Sequence, residues 1–112
     1  MKDIDNWFAD QCGVETYDDF GVPYPEYYFI KDGREFQYLW TIHDPRCREV
    51  IREKFWLCTN RAGNSTALMD GKYWICSSSN NQIRRIIKIG LRGKTIAEAE
   101  IACCEAIYEA QK

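Results

Sequence analysis

The sequence predicts an α+β fold, a small antiparallel sheet packed with three helices as a helix-sheet-helix sandwich. Apolar residues recur with helical spacing in three segments, at 3–12, 45–55 and 95–110. Between the last two, residues 56–91 hold short runs of β-forming side chains joined by polar turns, which favours antiparallel pairing. A chain of 112 residues can bury one core, so we expect a single domain, 1–112.

The N-terminal segment 3–12 predicts a short amphipathic helix. Asp3 is a suitable N-cap and Gly13 a suitable stop. Its apolar face is defined by the spacing i, i+3, i+4 and i+8 of Ile4, Trp7, Phe8 and Cys12. The next residues, 14–25, contain one Gly and two Pro and sustain neither period, so an irregular connection is predicted there.

Two aromatic-rich runs, 27–30 and 36–40, predict a β-hairpin. They flank a turn that contains Asp32-Gly33, and Asp-Gly readily adopts the positive φ angles of a tight hairpin turn. Alternation along the second arm would place three aromatic residues on one side of the sheet, namely Phe36, Tyr38 and Trp40.

Asp44-Pro45 marks the start of a helix that is expected to run from Pro45 to Phe55. The Asp side chain can accept the first free amide protons, and Pro suits the first helical position. The predicted apolar stripe is Cys47, Val50, Ile51 and Phe55. The predicted solvent face mixes charges of both signs and consists of Arg46, Arg48, Glu49, Arg52 and Glu53.

Three strands are predicted next, at 56–59, 72–76 and 83–91. Asp70-Gly71 supplies a turn before the second strand. Within 83–91 the residues on one side are mostly apolar and those on the other are partly basic.

The last helix follows Thr95, which stands with Glu98 in the T-x-x-E relation of a capping box. Its predicted buried stripe is Ala99, Ala102, Cys103, Ala106, Ile107 and Ala110, and a second stripe is Ile101, Cys104 and Tyr108.

Composition excludes several classes of protein. With 15 Lys and Arg against 17 Asp and Glu, the net charge of −2 argues against a generic nucleic-acid binder. No apolar run has the length of a membrane span, and the acidic N-terminus does not resemble a signal peptide. We therefore expect no membrane partner, a cytoplasmic location and six reduced cysteines.

The sequence predicts no catalytic, cofactor-binding or metal-ligating residue. The segment 90–95 has the ending of a phosphate-binding loop, but the pattern needs a Gly where Lys88 stands. His43 is the only imidazole, and no C-x-x-C pair occurs. A capping or surface role explains His43 better than a general base does, and an enzyme built on it with a carboxylate is the least favoured alternative.

The one basic concentration is a candidate nucleic-acid contact, consisting of Arg84, Arg85, Lys88, Arg92 and Lys94. If Tyr73 and Trp74 lie nearby in the sheet, they could stack bases beside these cations. A solvated sheet edge defended by basic residues would need the same side chains.

Several motifs resemble those of the small bacteriophage proteins grouped as the phage ABA sandwich domain. They are the Trp-containing segment 5–14 that ends near Gly13, the Trp40 that precedes His43-Asp44-Pro45, and the G-x-T-x-x-x-A pattern of 93–99. The resemblance implies an antiparallel sheet between helices and a phage or prophage source, with the cytoplasm of a bacterial host as location. It implies no catalytic residue.

Two functions remain open. The first is a non-enzymatic phage accessory protein that acts through contacts with an unknown protein partner. The second is a nucleic-acid-binding module that uses the segment from Arg84 to Lys94. Sixteen aromatic residues in a chain of this size also predict self-association into a homo-oligomer.

Overall fold

A computed structural model of the protein describes residues 3–18, 27–36, 39–62, 73–88 and 90–111. The elements are α1 (Asp3–Cys12), β1 (Glu15–Asp18), β2 (Tyr27–Lys31), β3 (Arg34–Phe36), α2 (Pro45–Phe55), β4 (Leu57–Ala62), β5 (Tyr73–Ser78), α3 (Asn81–Ile87), β6 (Leu91–Gly93) and α4 (Ile96–Glu109). They confirm the predicted α+β class, with two antiparallel sheets and four helices in the described ranges.

The chain divides into two compact units, residues 1–50 and 51–112, and the boundary lies within α2. That the whole chain forms one domain stays a prediction. No helix in the described ranges combines the length and the apolar content that crossing a bilayer requires.

In the first unit, α1 ends where the sequence predicts. Gly13 adopts a φ of +67°, its amide donates to the Asp10 carbonyl, and the Val14 amide donates to the Ala9 carbonyl. These two bonds form the Schellman arrangement that satisfies the last carbonyls of a helix. Phe8 and Ala9 are buried, whereas Ile4, Trp7 and Cys12 are only half-buried.

The first sheet has the strand order β1-β2-β3. The hairpin of β2 and β3 is confirmed, and both turn residues, Asp32 and Gly33, have positive φ. The predicted irregular connection after Gly13 is wrong in its first part, because β1 pairs with β2 from Glu15 opposite Ile30 to Asp18 opposite Tyr27. The strand forms because β2 supplies backbone partners, which side-chain periodicity does not reveal.

The hairpin prediction placed Trp40 in the second strand. This is wrong, because Trp40 belongs to no strand. Its side chain is fully buried, and the indole Nε1 donates to the Asp5 carbonyl oxygen at 3.0 Å. Tyr38, Ile89 and the predicted turn at Asp70-Gly71 lie outside the described residues.

Helix α2 has the predicted bounds. The Asp44 side chain accepts from the Arg46 amide at 2.8 Å, and the Asp44 carbonyl accepts from the Cys47 and Arg48 amides. Arg48 corrects the predicted solvent face, because it is buried and its Nη1 donates to the Ile42 carbonyl at 2.9 Å.

In the second unit, β4, β5 and β6 form an antiparallel sheet in that order. Helix α4 contacts all three strands, and α3 contacts both β5 and α4. Gly93 permits the close approach of β6 and α4, because a Cβ at this position would overlap the Ala99 amide. The Thr95 hydroxyl accepts from the Glu98 amide at 3.1 Å, as the capping box predicts.

The predicted strand 83–91 is wrong. Residues Asn81–Ile87 form α3 instead, and only Leu91–Gly93 form a strand. The Asn80 side chain accepts from the amides of Gln82 and Ile83, at 2.9 and 3.3 Å, and caps the helix. Ile83 and Ile87, one helical turn apart, are both buried, so the helical period suits this segment as well as alternation does.

Candidate nucleic-acid interface

Helix α3 separates apolar and basic side chains onto opposite faces. Ile83 and Ile87 are buried. The other face carries Asn81, Arg84 and Arg85, which follow the spacing i, i+3 and i+4 and are exposed. Lys88, the C-cap residue with a φ of +49°, is exposed directly after the helix. We call these four residues the α3 basic face. Arg84 and Arg85 lie one turn from Asn81 on the same surface, where their long cationic side chains can approach the same extended ligand.

Arg92 lies on β6 rather than on a long strand shared with Arg84. Its guanidinium carbon is 5.1 Å from the centroid of the Tyr73 ring, which is a cation–π distance. In the β5–β6 register Arg92 is opposite Ile75, and Tyr73 is two residues from Ile75 on the same sheet face. Trp74 is opposite Gly93 and therefore points to the other face. The structure thus brings Tyr73, but not Trp74, to a predicted basic residue.

Lys94 is exposed between β6 and α4, and its backbone amide donates to the Glu98 carboxylate at 2.8 Å. Ion pairs within the described ranges include those of Arg46 with Asp44 and of Arg52 with Glu100. Among the described residues, none of the five basic residues predicted as a nucleic-acid contact forms an ion pair.

The charges of the chain are strongly asymmetric. Residues 51–112 contain ten Lys and Arg and six Asp and Glu, a net charge of +4. Residues 1–50 contain five Lys and Arg and eleven Asp and Glu, a net charge of −6. Such asymmetry is typical of chains in which one part meets an anionic partner. The overall charge of −2 hides this signal, although it is present in the sequence.

The buried cysteines are packing residues. The Cys103 thiol donates to the Cys76 carbonyl oxygen at 3.0 Å, and both side chains are fully buried. The hydrogen bond with the Cys76 thiol, together with burial, raises the pKa of Cys103 far above its ordinary value. Burial raises the pKa of Cys47 to about 11. Cys47 and Cys103 are therefore neutral near pH 7 and poor nucleophiles.

All six cysteines fall within the described ranges, and none forms a disulfide. In the same ranges, no group of three or more His, Cys, Asp or Glu side chains is placed to hold a metal ion. His43 is exposed in the turn before α2, where its backbone amide donates to the Thr41 hydroxyl at 3.3 Å. The absence of a catalytic role for His43 stays a prediction.

Sequence reasoning missed one exposed aromatic residue beside this interface. Trp56 joins α2 to β4, is 64% exposed and has a φ of +56°. With four residues around the start of α3, namely Ser79, Asn80, Asn81 and Gln82, it lines an open groove of about 420 Å³. The sequence signal was ambiguous, because Trp favours strands and precedes a β-forming run.

No protein-family model matches the chain, and neither a curated protein nor a solved structure is significantly similar to it. The resemblance to the phage ABA sandwich proteins stays a prediction.

Proposed function

We propose that the chain binds single-stranded nucleic acid through residues 51–112. The observation that carries this proposal is the α3 basic face, on which Arg84, Arg85 and Lys88 are exposed without an ion-pair partner among the described residues. Cations that neutralise phosphates supply most of the affinity of sequence-tolerant binding. The Arg92–Tyr73 pair adds a planar cation and an aromatic ring on which bases can stack.

The overall charge of −2 is compatible with this proposal. At physiological ionic strength, charges are screened over about 8 Å, so a ligand responds to nearby side chains more than to the net charge of the chain. A phosphate bound by Arg84 and Arg85 would therefore interact mainly with the positive charge of α3. Among Asn81–Ile87 no residue is acidic.

The proposal is tested by fluorescence anisotropy with a labelled oligothymidylate across a salt series. The variant Arg84→Gln/Arg85→Gln should bind several-fold more weakly. Its plot of log affinity against log salt should also be shallower by about 1.4, because each lost contact with a single strand removes about 0.7 from the slope.

The matched control removes two charges outside α3. Lys2→Gln/Lys54→Gln makes the same change in net charge and leaves the Arg46–Asp44 pair intact. This control should leave the affinity and the salt slope nearly unchanged. Equal losses in both double variants would show a general charge effect and reject the α3 basic face as the contact.

A second proposal is the accessory role through protein contacts, in the cytoplasm of a bacterial host that carries the phage. It is supported by the large apolar side chains that are more than 40% exposed in the described ranges: Leu39, Trp56 and Ile96. Affinity capture from infected or lysogenic cells should recover a partner with the wild-type protein and less of it with Ile96→Ala. Recovery equal to that of an unrelated bait would reject this role.

A further inference from the structure

Trp56 is placed in a way that folding alone does not explain. Its φ of +56° lies in the left-handed region, which is unfavourable for residues with a side chain and readily adopted by glycine. Its side chain is 64% exposed, so most of the apolar ring contributes no burial. A glycine at this position would connect α2 to β4 with less backbone strain.

Hydrogen bonds connect the backbone on the two sides of the Trp56 groove. Two of them join the chain around Trp56 to the turn before α3, and a third lies within that turn. The Ser79 amide donates to the Trp56 carbonyl at 3.2 Å, the Ser78 hydroxyl donates to the Phe55 carbonyl at 2.6 Å, and the Asn80 amide donates to the Ser78 hydroxyl at 3.1 Å. The backbone that carries Trp56 and the opposite wall are thereby held together in the free protein, which lowers the entropy cost of binding.

The chemistry of the groove suits a flat, polar-edged ligand. The indole offers a stacking surface, and the exposed amides of Asn81 and Gln82 can both donate and accept hydrogen bonds. None of the lining residues is charged. The Gln82 and Ile83 backbone amides are already bonded to the Asn80 side chain, so the groove is not an anion site built on the helix terminus.

The groove adjoins the α3 basic face, because Asn81 belongs to both. Arg84 and Arg85 follow Asn81 by three and four residues, which places their Cβ atoms about 6 Å away on the same side of the helix. A strand whose phosphates contact these arginines brings a neighbouring base to the groove. We propose that the Trp56 groove stacks an unpaired base of single-stranded nucleic acid, an inference that rests on the proposed function.

The test compares two oligonucleotides of equal length, an oligothymidylate and an abasic analogue with the same phosphates. For Trp56→Gly, we expect the Kd for the oligothymidylate to rise about tenfold, as the loss of one stacking contact predicts. The Kd for the abasic analogue and both salt slopes should stay unchanged. Trp56→Phe should restore most of the affinity, because a phenyl ring also stacks.

The variant Trp56→Gly suits this test because glycine tolerates the local backbone. Its urea unfolding midpoint should equal or exceed that of the wild type. The control Ile96→Ala removes a different exposed apolar side chain, outside the groove, and should change neither Kd.

Two results would overturn the inference while leaving the proposed function intact. In the first, Trp56→Gly binds the oligothymidylate as tightly as the wild type does, whereas Arg84→Gln/Arg85→Gln binds it weakly. The other is an equal loss of affinity for both oligonucleotides, which would show that Trp56 supports binding without stacking a base. If the wild-type protein binds neither oligonucleotide, the proposed function and this inference both fail.

Discussion

At the scale of single residues, Asp5 organises the first unit. Its Oδ1 accepts from the Ile42 amide at 2.8 Å, and its backbone carbonyl accepts from the Trp40 indole. The side chain is only 4% exposed. A buried amide that loses such a partner keeps its desolvation cost, so this carboxylate should contribute strongly to stability.

We predict that Asp5→Ala lowers the free energy of unfolding by about 1–3 kcal/mol, because the Ile42 amide is left without an acceptor. Asp5→Asn keeps an oxygen that can accept this bond and should lose less. Chemical denaturation measures both. Asp10→Ala removes an exposed acid from the last turn of the same helix, serves as control and should change stability by no more than about 0.5 kcal/mol. A loss of equal size in the Asp10 and Asp5 variants would contradict this role of Asp5.

We predict that the free energy of unfolding depends on pH through Asp44. Hydrogen bonds from the Arg46 side chain hold the pKa of Asp44 below its ordinary value. The unfolded chain therefore binds this proton more readily, and the stabilisation is complete above about pH 4 and is lost as the pH falls through the folded-state pKa.

The variant Asp44→Asn keeps a capping side chain and removes the charge. Its unfolding midpoint in urea should fall less steeply than that of the wild type between about pH 5 and pH 2. Parallel pH profiles for the two proteins would show that the Arg46–Asp44 pair does not contribute.

Buried polar residues mark the limit of prediction at this scale. The sequence placed Arg48 on the solvent face of α2, but Arg48 is buried against the Ile42 carbonyl. Glu100 is buried within α4 and accepts from Arg52 at 2.9 Å. Helical periodicity sorts apolar from polar side chains, but it cannot show that a polar residue has a partner elsewhere in the fold.

At the scale of elements, capping signals predicted more than periodicity did. Helices α2 and α4 begin as the Asp44-Pro45 pair and the Thr95 capping box indicate, and the Asp32-Gly33 turn forms the predicted hairpin. In α3, Ile83 and Ile87 satisfy both the helical period and alternation. Asn80 was the deciding signal, and it is present in the sequence.

We predict that Asn80→Ala lowers the free energy of unfolding by about 1 kcal/mol, because two amides of α3 lose their acceptor. Asn80→Asp retains a capping oxygen and should lose less. The neighbouring exposed variant Asn81→Ala is the control and should have little effect. If Asn80→Ala is as stable as the wild type, the cap does not support α3.

The corrected helix also bears on the family resemblance. The resemblance implies an antiparallel sheet between helices, and a long strand at 83–91 was part of the sheet predicted here. Since α3 occupies most of that segment, the resemblance now depends on the motifs near Trp7, Asp44 and Thr95. A phage or prophage gene neighbourhood would support it.

At the scale of the whole molecule, the sequence predicted five basic residues as a nucleic-acid contact, and that contact stays a prediction. Sequence reasoning misplaced Arg84, Arg85 and Lys88 on a strand and missed Trp56. The first error arose because the apolar residues of 83–91 fit both helical spacing and strand alternation. The second had no clear signal, because a Trp at positive φ is rare and cannot be expected from residue preference.

Self-association stays a prediction at this scale. The sixteen aromatic residues motivate it, and Trp56 and Ile96 are exposed in the described ranges. Light scattering at increasing concentration should show a mass that rises above that of the monomer. A constant monomer mass at high concentration would contradict the prediction. The same measurement on Trp56→Gly would show whether the groove takes part.

The most direct test of the central claim is an NMR titration of the labelled protein with an oligothymidylate. Binding at the α3 basic face and the Trp56 groove should give chemical-shift changes concentrated at residues 79–88, at 91–94 and at the Trp56 indole, with little change along α1 and β1. Changes confined to residues 3–18, or spectra unaffected by an excess of oligonucleotide at low salt, would contradict it.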